Sequence, residues 1–240
     1  MSNLLLYLFH RAVGSKRELF WEKKESSRVL AAFGFDLTIM PVRTPNTTIT
    51  SVREYARLCR EAALGHVNDE YIATSSIEQY GPVARDFFSC RGGTTLVILT
   101  TNNATNVAHG LAVLGVDVNE FVVVDVPEMQ RQYGWLRRVS ASAVFVAVVV
   151  CGLSASLVFT AWVLLVLLGG PTPQKPDILR MCMDTHGYSN AVFTNSSPTA
   201  CAHMRKAEPG VHIVETDTIG LFNHRAQVKE LNTLLKLGLE

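Results

Sequence analysis

Apolar and polar positions follow three rhythms along this chain. The first is helical. Ser51-Val52-Arg53-Glu54 forms a capping box, in which a Ser and a Glu three residues on can satisfy each other's orphan backbone donors. After it Val52, Tyr55, Cys59 and Ala62/Ala63 recur on one face as far as Leu64, and Gly65 ends the run. A second cap, Ser75-Ser76-Ile77-Glu78, starts a turn that Gly81-Pro82 is expected to interrupt, with Val83 to Phe88 resuming as another. The second rhythm is that of strands. Thr94 to Thr100 and Glu120 to Val126 are β-branched runs, and the stretch between them, Asn102 to Leu114, can form a helix. Strand, helix and strand in succession predict one βαβ unit.

The third rhythm is uninterrupted apolarity. From Val139 to Gln174 there is no charged side chain, and Ala143 to Leu168 would reach roughly 39 Å as a helix against a hydrocarbon core of roughly 30 Å. One transmembrane helix is expected. Asp125, Pro127 and Glu128 have the form of its distant start, and Gly169-Gly170-Pro171 of its stop. Ala143, Ala147, Cys151 and Ala155 recur every four positions, with Gly152 and Ser156 alongside, so that small residues make a helix-packing face. Arg131, Arg137 and Arg138, with Tyr133 and Trp135, lie on the N-terminal flank as candidate contacts for lipid headgroups, anionic phospholipid such as cardiolipin included. The bias of basic residues puts the N-terminal part on the inner side.

The remaining C-terminal stretch starts as a stiff PTPQKP linker and reads as loops to about Pro209. A strand from Val211 to Glu215 follows, then a helix from Thr216 or Asp217 to Leu237 whose Leu221, Val228, Leu231 and Leu234/Leu235 form a stripe wanting a partner. The fold class so read is an α+β membrane protein: a single transmembrane helix, a small mixed α/β N-terminal region with a βαβ unit, and a short, largely irregular C-terminal region ending in a helix. Its parts are an amphipathic helix over 1–25, a soluble region over 26–126, a long helix over 127–169 containing the span 143–168, and a linker with C-terminal region over 170–240.

Composition narrows the function. Of the residues, 48% are hydrophobic and 18% charged, and 22 Lys+Arg against 21 Asp+Glu leave a net charge of +1, so no basic surface for nucleic acid is expected. The first 17 residues carry Arg11, Lys16 and Arg17 and no acid, the composition of an organelle-targeting segment. Asn-x-Ser/Thr triplets begin at Asn46, Asn103 and Asn195, on both sides of the expected span. Five scattered cysteines make no disulfide framework, although a bridge between Cys182 and Cys201 is conceivable. Cys182, His186, Cys201 and His203 match no common zinc spacing, so no metal site is assigned.

No catalytic constellation stands out. Thr101-Asn102-Asn103-Ala104 follows the first βαβ strand where a phosphate-binding turn would need glycines, and His109 has no nucleophile or acid beside it in sequence. The expectation is therefore a non-enzymatic accessory subunit of a multi-subunit membrane complex, in the mitochondrial inner membrane as part of a respiratory-chain complex or ATP synthase, with its N-terminal part on the matrix side. It would bind no cofactor, and other subunits would meet it through the span and both amphipathic ends. Two rivals come from other classes. One is a membrane-anchored α/β enzyme or ligand-binding domain with its site near Asn102, Asn103 and Asn106, at the carboxyl end of the Thr94–Thr100 strand. The other is a single-pass glycoprotein carrying glycan on Asn195.

Overall fold

In a computed structural model the described residues are 29–43, 47–65, 77–91, 94–132, 173–217 and 220–237. They contain β1 (Val29–Phe33), α1 (Val52–Gly65), α2 (Ile77–Ser89), β2 (Thr94–Thr100), α3 (Ala104–Val113), β3 (Phe121–Asp125), α4 (Lys175–His186), β4 (Asn190–Asn195), α5 (Pro198–Ala207), β5 (His212–Glu215) and α6 (Arg225–Leu237). Single 3₁₀ turns lie at Val118–Glu120 and Leu221–Asn223. The five strands form one sheet in the order β3-β2-β1-β4-β5, and every pairing is parallel. Parallel strands need crossovers and helices on both faces, which is why β1 reads VLAAF with all five residues buried rather than alternating.

The two faces differ. Toward one point Phe33, Leu96, Ile98, Val192 and Val214, and they join Tyr55 and Cys59 of α1, Tyr80, Ala84, Phe87 and Phe88 of α2, Val107 and Leu111 of α3, and Leu231 and Leu235 of α6 in a single core. Its centre is aromatic. The Phe88 ring lies 4.9 Å from Phe121, 5.1 Å from Phe87, 5.4 Å from Phe222 and 5.6 Å from Phe33, in edge-to-face arrangements. By strand parity Leu30, Ala32, Val97, Leu99, Ala191 and Phe193 point the other way, toward the face that buries Ile178, Leu179 and Cys182 of α4 and Cys201 and Met204 of α5.

Local sequence explains several boundaries. The Ser51 hydroxyl accepts the Glu54 amide at 3.2 Å, whereas the Glu54 carboxylate reaches back to Thr50, accepting its hydroxyl at 2.8 Å and its amide at 3.3 Å. The capping box thus closes one residue earlier than its Ser-x-x-Glu form predicts. These bonds hold the exposed Glu54 carboxyl below its ordinary value. Gly81-Pro82 does not break α2, because Tyr80, Ala84, Phe87 and Phe88 anchor the helix on both sides of Pro82. Gly220, at φ +92°, postpones α6 to Arg225, past the predicted start at Thr216 or Asp217. The βαβ unit forms as expected, Leu96–Thr100 pairing in register with Phe121–Asp125.

The fold class differs from the sequence reading. The stretch read as loops up to Pro209 holds α4, β4 and α5, and β4 lies beside β1 at the centre of the sheet. The chain is an α/β protein, and the C-terminal region is neither short of structure nor a satellite. The predicted span 143–168, with Ala143, Ala147, Cys151, Gly152, Ala155 and Ser156, lies outside the described residues, as do Arg137, Arg138 and the N-terminal helix over 1–25. Among the described residues no helix is long and apolar enough to cross a membrane. The accessory-subunit function rested on flanking parts with little core of their own, and the membrane-protein class on the uncharged run around 143–168. Those flanks build one five-stranded parallel sheet between them, and no described helix can cross a membrane, so neither the membrane-protein class nor the accessory-subunit function holds, and the respiratory-chain and ATP-synthase assignments fall with them.

By internal contacts the chain divides into two compact units, Met1–Asp125 with Lys175–Glu240, and Val126–Gln174. In the second, 126–132 is helical, Gln130 donates to the Pro173 carbonyl at 2.9 Å, and Arg131 pairs with Glu128 at 2.6 Å.

Candidate functional site

The chain steps from β1 to β2 to β3 in one direction, then returns to place β4 on the other side of β1. Connections leaving β1 and β4 therefore diverge, which opens a crevice beyond their carboxyl ends, the place where open α/β sheets bind ligands. Here the crevice is lined by the turn after β1 and the turn after β4.

The first turn is tight. Gly34 extends the ladder by donating to the Thr194 carbonyl at 2.8 Å, after which Thr38 and Met40 both return amide protons to the Phe35 carbonyl, at 3.2 and 3.0 Å. Leu37 is left-handed, at φ +58°, a conformation a branched residue adopts at some cost and one that often accompanies functional turns. Asp36 sits inside this turn. The second turn is stitched to it: the Thr38 hydroxyl accepts the Ser196 amide at 3.0 Å and donates to the Ser196 hydroxyl at 3.3 Å. Gly34 permits the approach, since a Cβ there would come within 2.7 Å of the Asn195 Nδ2 and 3.0 Å of the Thr38 hydroxyl.

Asn195 is the pivot of the second turn. Its Oδ1 accepts the Ser197 amide at 2.9 Å, the Ser197 hydroxyl accepts the Ala200 amide at 3.3 Å, and α5 begins there with Pro198 in its first turn. The Asn195 Nδ2, buried over Gly34, has no hydrogen-bond partner. A buried N–H left without an acceptor carries an uncompensated desolvation penalty. Such a group is under-satisfied until an acceptor arrives.

Charge enters from α4 and the first turn. Lys175, the first residue of α4, is half-buried, and desolvation pulls its ammonium below the ordinary lysine value, while Asp36 and then Cys201 oppose that shift. Asp36 is also approached by the Asn102 amide, whose Nδ2 lies 3.3 and 3.5 Å from its two carboxylate oxygens. The crevice thus presents one cation, one carboxylate, an unpartnered amide donor and the N-terminus of a ten-residue helix. Its donors suit an oxyanion, and its carboxylate suits a hydroxyl that can donate.

Of the residues singled out in the sequence, Asn102, Asn103 and Asn106 are brought together at the N-terminus of α3, beside Asp36. His109 lies further along α3, half-buried, with a buried Nδ1 that has no partner. Arg131 is largely exposed and paired with Glu128. Cys182 and Cys201 are buried and free, and among the described residues no group of three His, Cys, Asp or Glu side chains is placed to hold a metal. Asn195 is 4% exposed, which removes the surface a glycan needs and with it the glycoprotein reading. Sequence reasoning missed Asp36, Thr38, Lys175 and Ser196. A signal existed: the apolar run Val29–Phe33 ends in Gly34-Phe35-Asp36, an acid just past a buried strand.

No protein-family model matches the sequence, and no curated protein matches it either. Among solved structures, the chain is similar to the HAD domain of the effector protein Lem4 from Legionella pneumophila, at 12% identity and a TM-score of 0.42, over 89% of this chain and 99% of that one.

Proposed function

We propose that this chain is a ligand-binding α/β domain that takes a small oxyanion, such as a phosphate group on a hydroxyl-bearing molecule, in the crevice beyond β1 and β4. The observation that carries the reading is the buried Asn195 Nδ2 without an acceptor, on the same edge as the half-buried Lys175 ammonium. Two donors, one of them charged, on the edge where a capped helix starts ask for acceptor oxygens. Asp36 balances Lys175, so the crevice is close to neutral, and its carboxylate accepts from a ligand hydroxyl.

The test is a titration of inorganic phosphate into the full chain, followed by amide chemical shifts. Perturbations should concentrate at Gly34, Thr38 and Asn195–Ser197, and Lys175→Met should weaken binding about tenfold, the worth of one charge-assisted hydrogen bond. Shifts scattered over the surface, or none at millimolar phosphate, would overturn the proposal.

A further inference from the structure

Asn106 does not reach the crevice, yet its side chain is buried and bonded at both ends. Its Oδ1 accepts the Ile49 amide at 2.9 Å, and its Nδ2 donates to the Thr47 carbonyl at 2.8 Å and to the Asn102 Oδ1 at 3.0 Å. Asn102 in turn accepts the Asn103 amide on that same Oδ1 at 2.8 Å and turns its Nδ2 to Asp36. Backbone partners fix both carboxamides. A backbone N–H can only donate and a carbonyl can only accept, so the Ile49 amide and the Thr47 carbonyl dictate which end of Asn106 faces which way. The Asn103 amide does the same for Asn102. Neither side chain can flip without losing bonds in a buried setting. Asn103 adds a parallel tie, its Oδ1 capping α3 at Thr105 at 2.7 Å while its Nδ2 holds the Thr48 hydroxyl at 2.8 Å.

We infer that Asn102 and Asn106 form a positioning relay, Asp36–Asn102–Asn106–Ile49, which orients the carboxylate in the crevice and couples its state to residues 47–49 at the entrance to α1. The loosest link is the one at the crevice: 3.3 and 3.5 Å at Asp36 against 2.8 to 3.0 Å further along. That is where a bound group, by taking hold of Asp36, changes the relay most. Asn106 acts through Asn102 and touches no ligand. The network itself stands on the geometry; only the link to occupancy rests on the binding reading above.

Hydrogen exchange at the Ile49 amide in the full chain reads the relay without any ligand. Asn102→Ala should speed that exchange about fivefold, the equilibrium worth of one ordinary hydrogen bond, with the amides of β1 and β2 unmoved. Unchanged Ile49 exchange would overturn the relay. Should Asn102→Ala fail to fold, Asp36→Ala cuts the same chain one link earlier and carries the same prediction. Inorganic phosphate then tests coupling. In the wild-type chain it should slow exchange at Ile49, and Asn106→Leu should lower phosphate affinity at least threefold. Phosphate that binds without moving Ile49 refutes the coupling. If phosphate does not bind at all, the proposed function fails, and the variants without ligand decide the relay alone.

Discussion

The aromatic core on one face and the polar edge beyond β1 and β4 adjoin each other but are held together by different physics. Around Phe88 four aromatic rings lie within 5.6 Å, and the forces are non-directional burial supplemented by edge-to-face contacts. Around Asp36 and Asn195 almost every contact is a directed hydrogen bond, and the Asn195 Nδ2 is left over, with the Thr194 and Thr216 hydroxyls beside it. The first region has no unfinished business; the second does. Tyr80 joins them. Its ring meets Phe222 edge-on at 5.4 Å, and its hydroxyl donates to the Ile39 and Thr38 carbonyls at 2.7 and 3.2 Å, so the core fixes the turn that carries Asp36. Stability should therefore depend on the core and recognition on the edge, with Tyr80 as the link.

Phe88→Ala should have the largest effect, a loss of about 3–5 kcal/mol in urea unfolding, because the surrounding rings cannot collapse into the space. A loss below about 1 kcal/mol would mean the core is not where the stability lies. Gly34→Ala should follow at about 1–3 kcal/mol, since its Cβ must displace the Asn195 carboxamide or the Thr38 hydroxyl. Unlike Phe88→Ala, it should also move the Asn195 side-chain resonances. Lys175→Met separates the regions most cleanly: phosphate affinity falls about tenfold, while the melting midpoint holds or rises, because a desolvated charge has been replaced by a thioether stem. A midpoint falling with affinity would show that the edge is structural. Ser197→Ala should cost about 1 kcal/mol through the lost cap on α5, read by the same unfolding curve.

The last prediction concerns alkaline pH, and its effect near neutrality is the smallest. Burial pushes the thiols of Cys59 and Cys182 from 9.0 up to about 12 and that of Cys201 to about 11, and it drives the Tyr80 phenol far above its ordinary range. Each group is neutral when folded and ionises more readily when unfolded. Their contribution is fully present below about pH 9, the unfolded thiol value, and is lost as pH rises toward the folded values. The urea midpoint should be flat from about pH 7 to pH 8.5 and fall above pH 9. Cys90, exposed in the turn just past α2, should react with a thiol reagent in the native state while Cys59, Cys182 and Cys201 stay protected.

What the sequence made legible follows from the same division. The βαβ unit and α1 carry strong local signals, β-branched runs and a capping box, and these do not depend on tertiary partners. β1 and β4 do depend on them. VLAAF has two alanines in five residues and NAVFTN an asparagine at each end, so neither reads as a strand until its neighbour is in place. Missing β4 made the C-terminal region look coreless, and that led to the expectation of an accessory subunit. At the site, Asn102, Asn103 and Asn106 were visible because they sit on a legible element. Asp36 and Lys175 were not, since nothing local marks residues so far apart as neighbours.

That separation has a consequence during synthesis. The Thr38 and Ser196 hydroxyls that stitch the crevice together lie 158 residues apart, and β1, a central strand of the finished sheet, gains its second neighbour only when residues 190–195 have emerged. At roughly 5–20 residues per second, the nascent chain carries β1 and β2 with one fully apolar edge unpaired for on the order of ten seconds. Chaperone dependence should therefore be highest for ribosome-bound chains halted between β3 and β4, and should fall once β4 is free to dock.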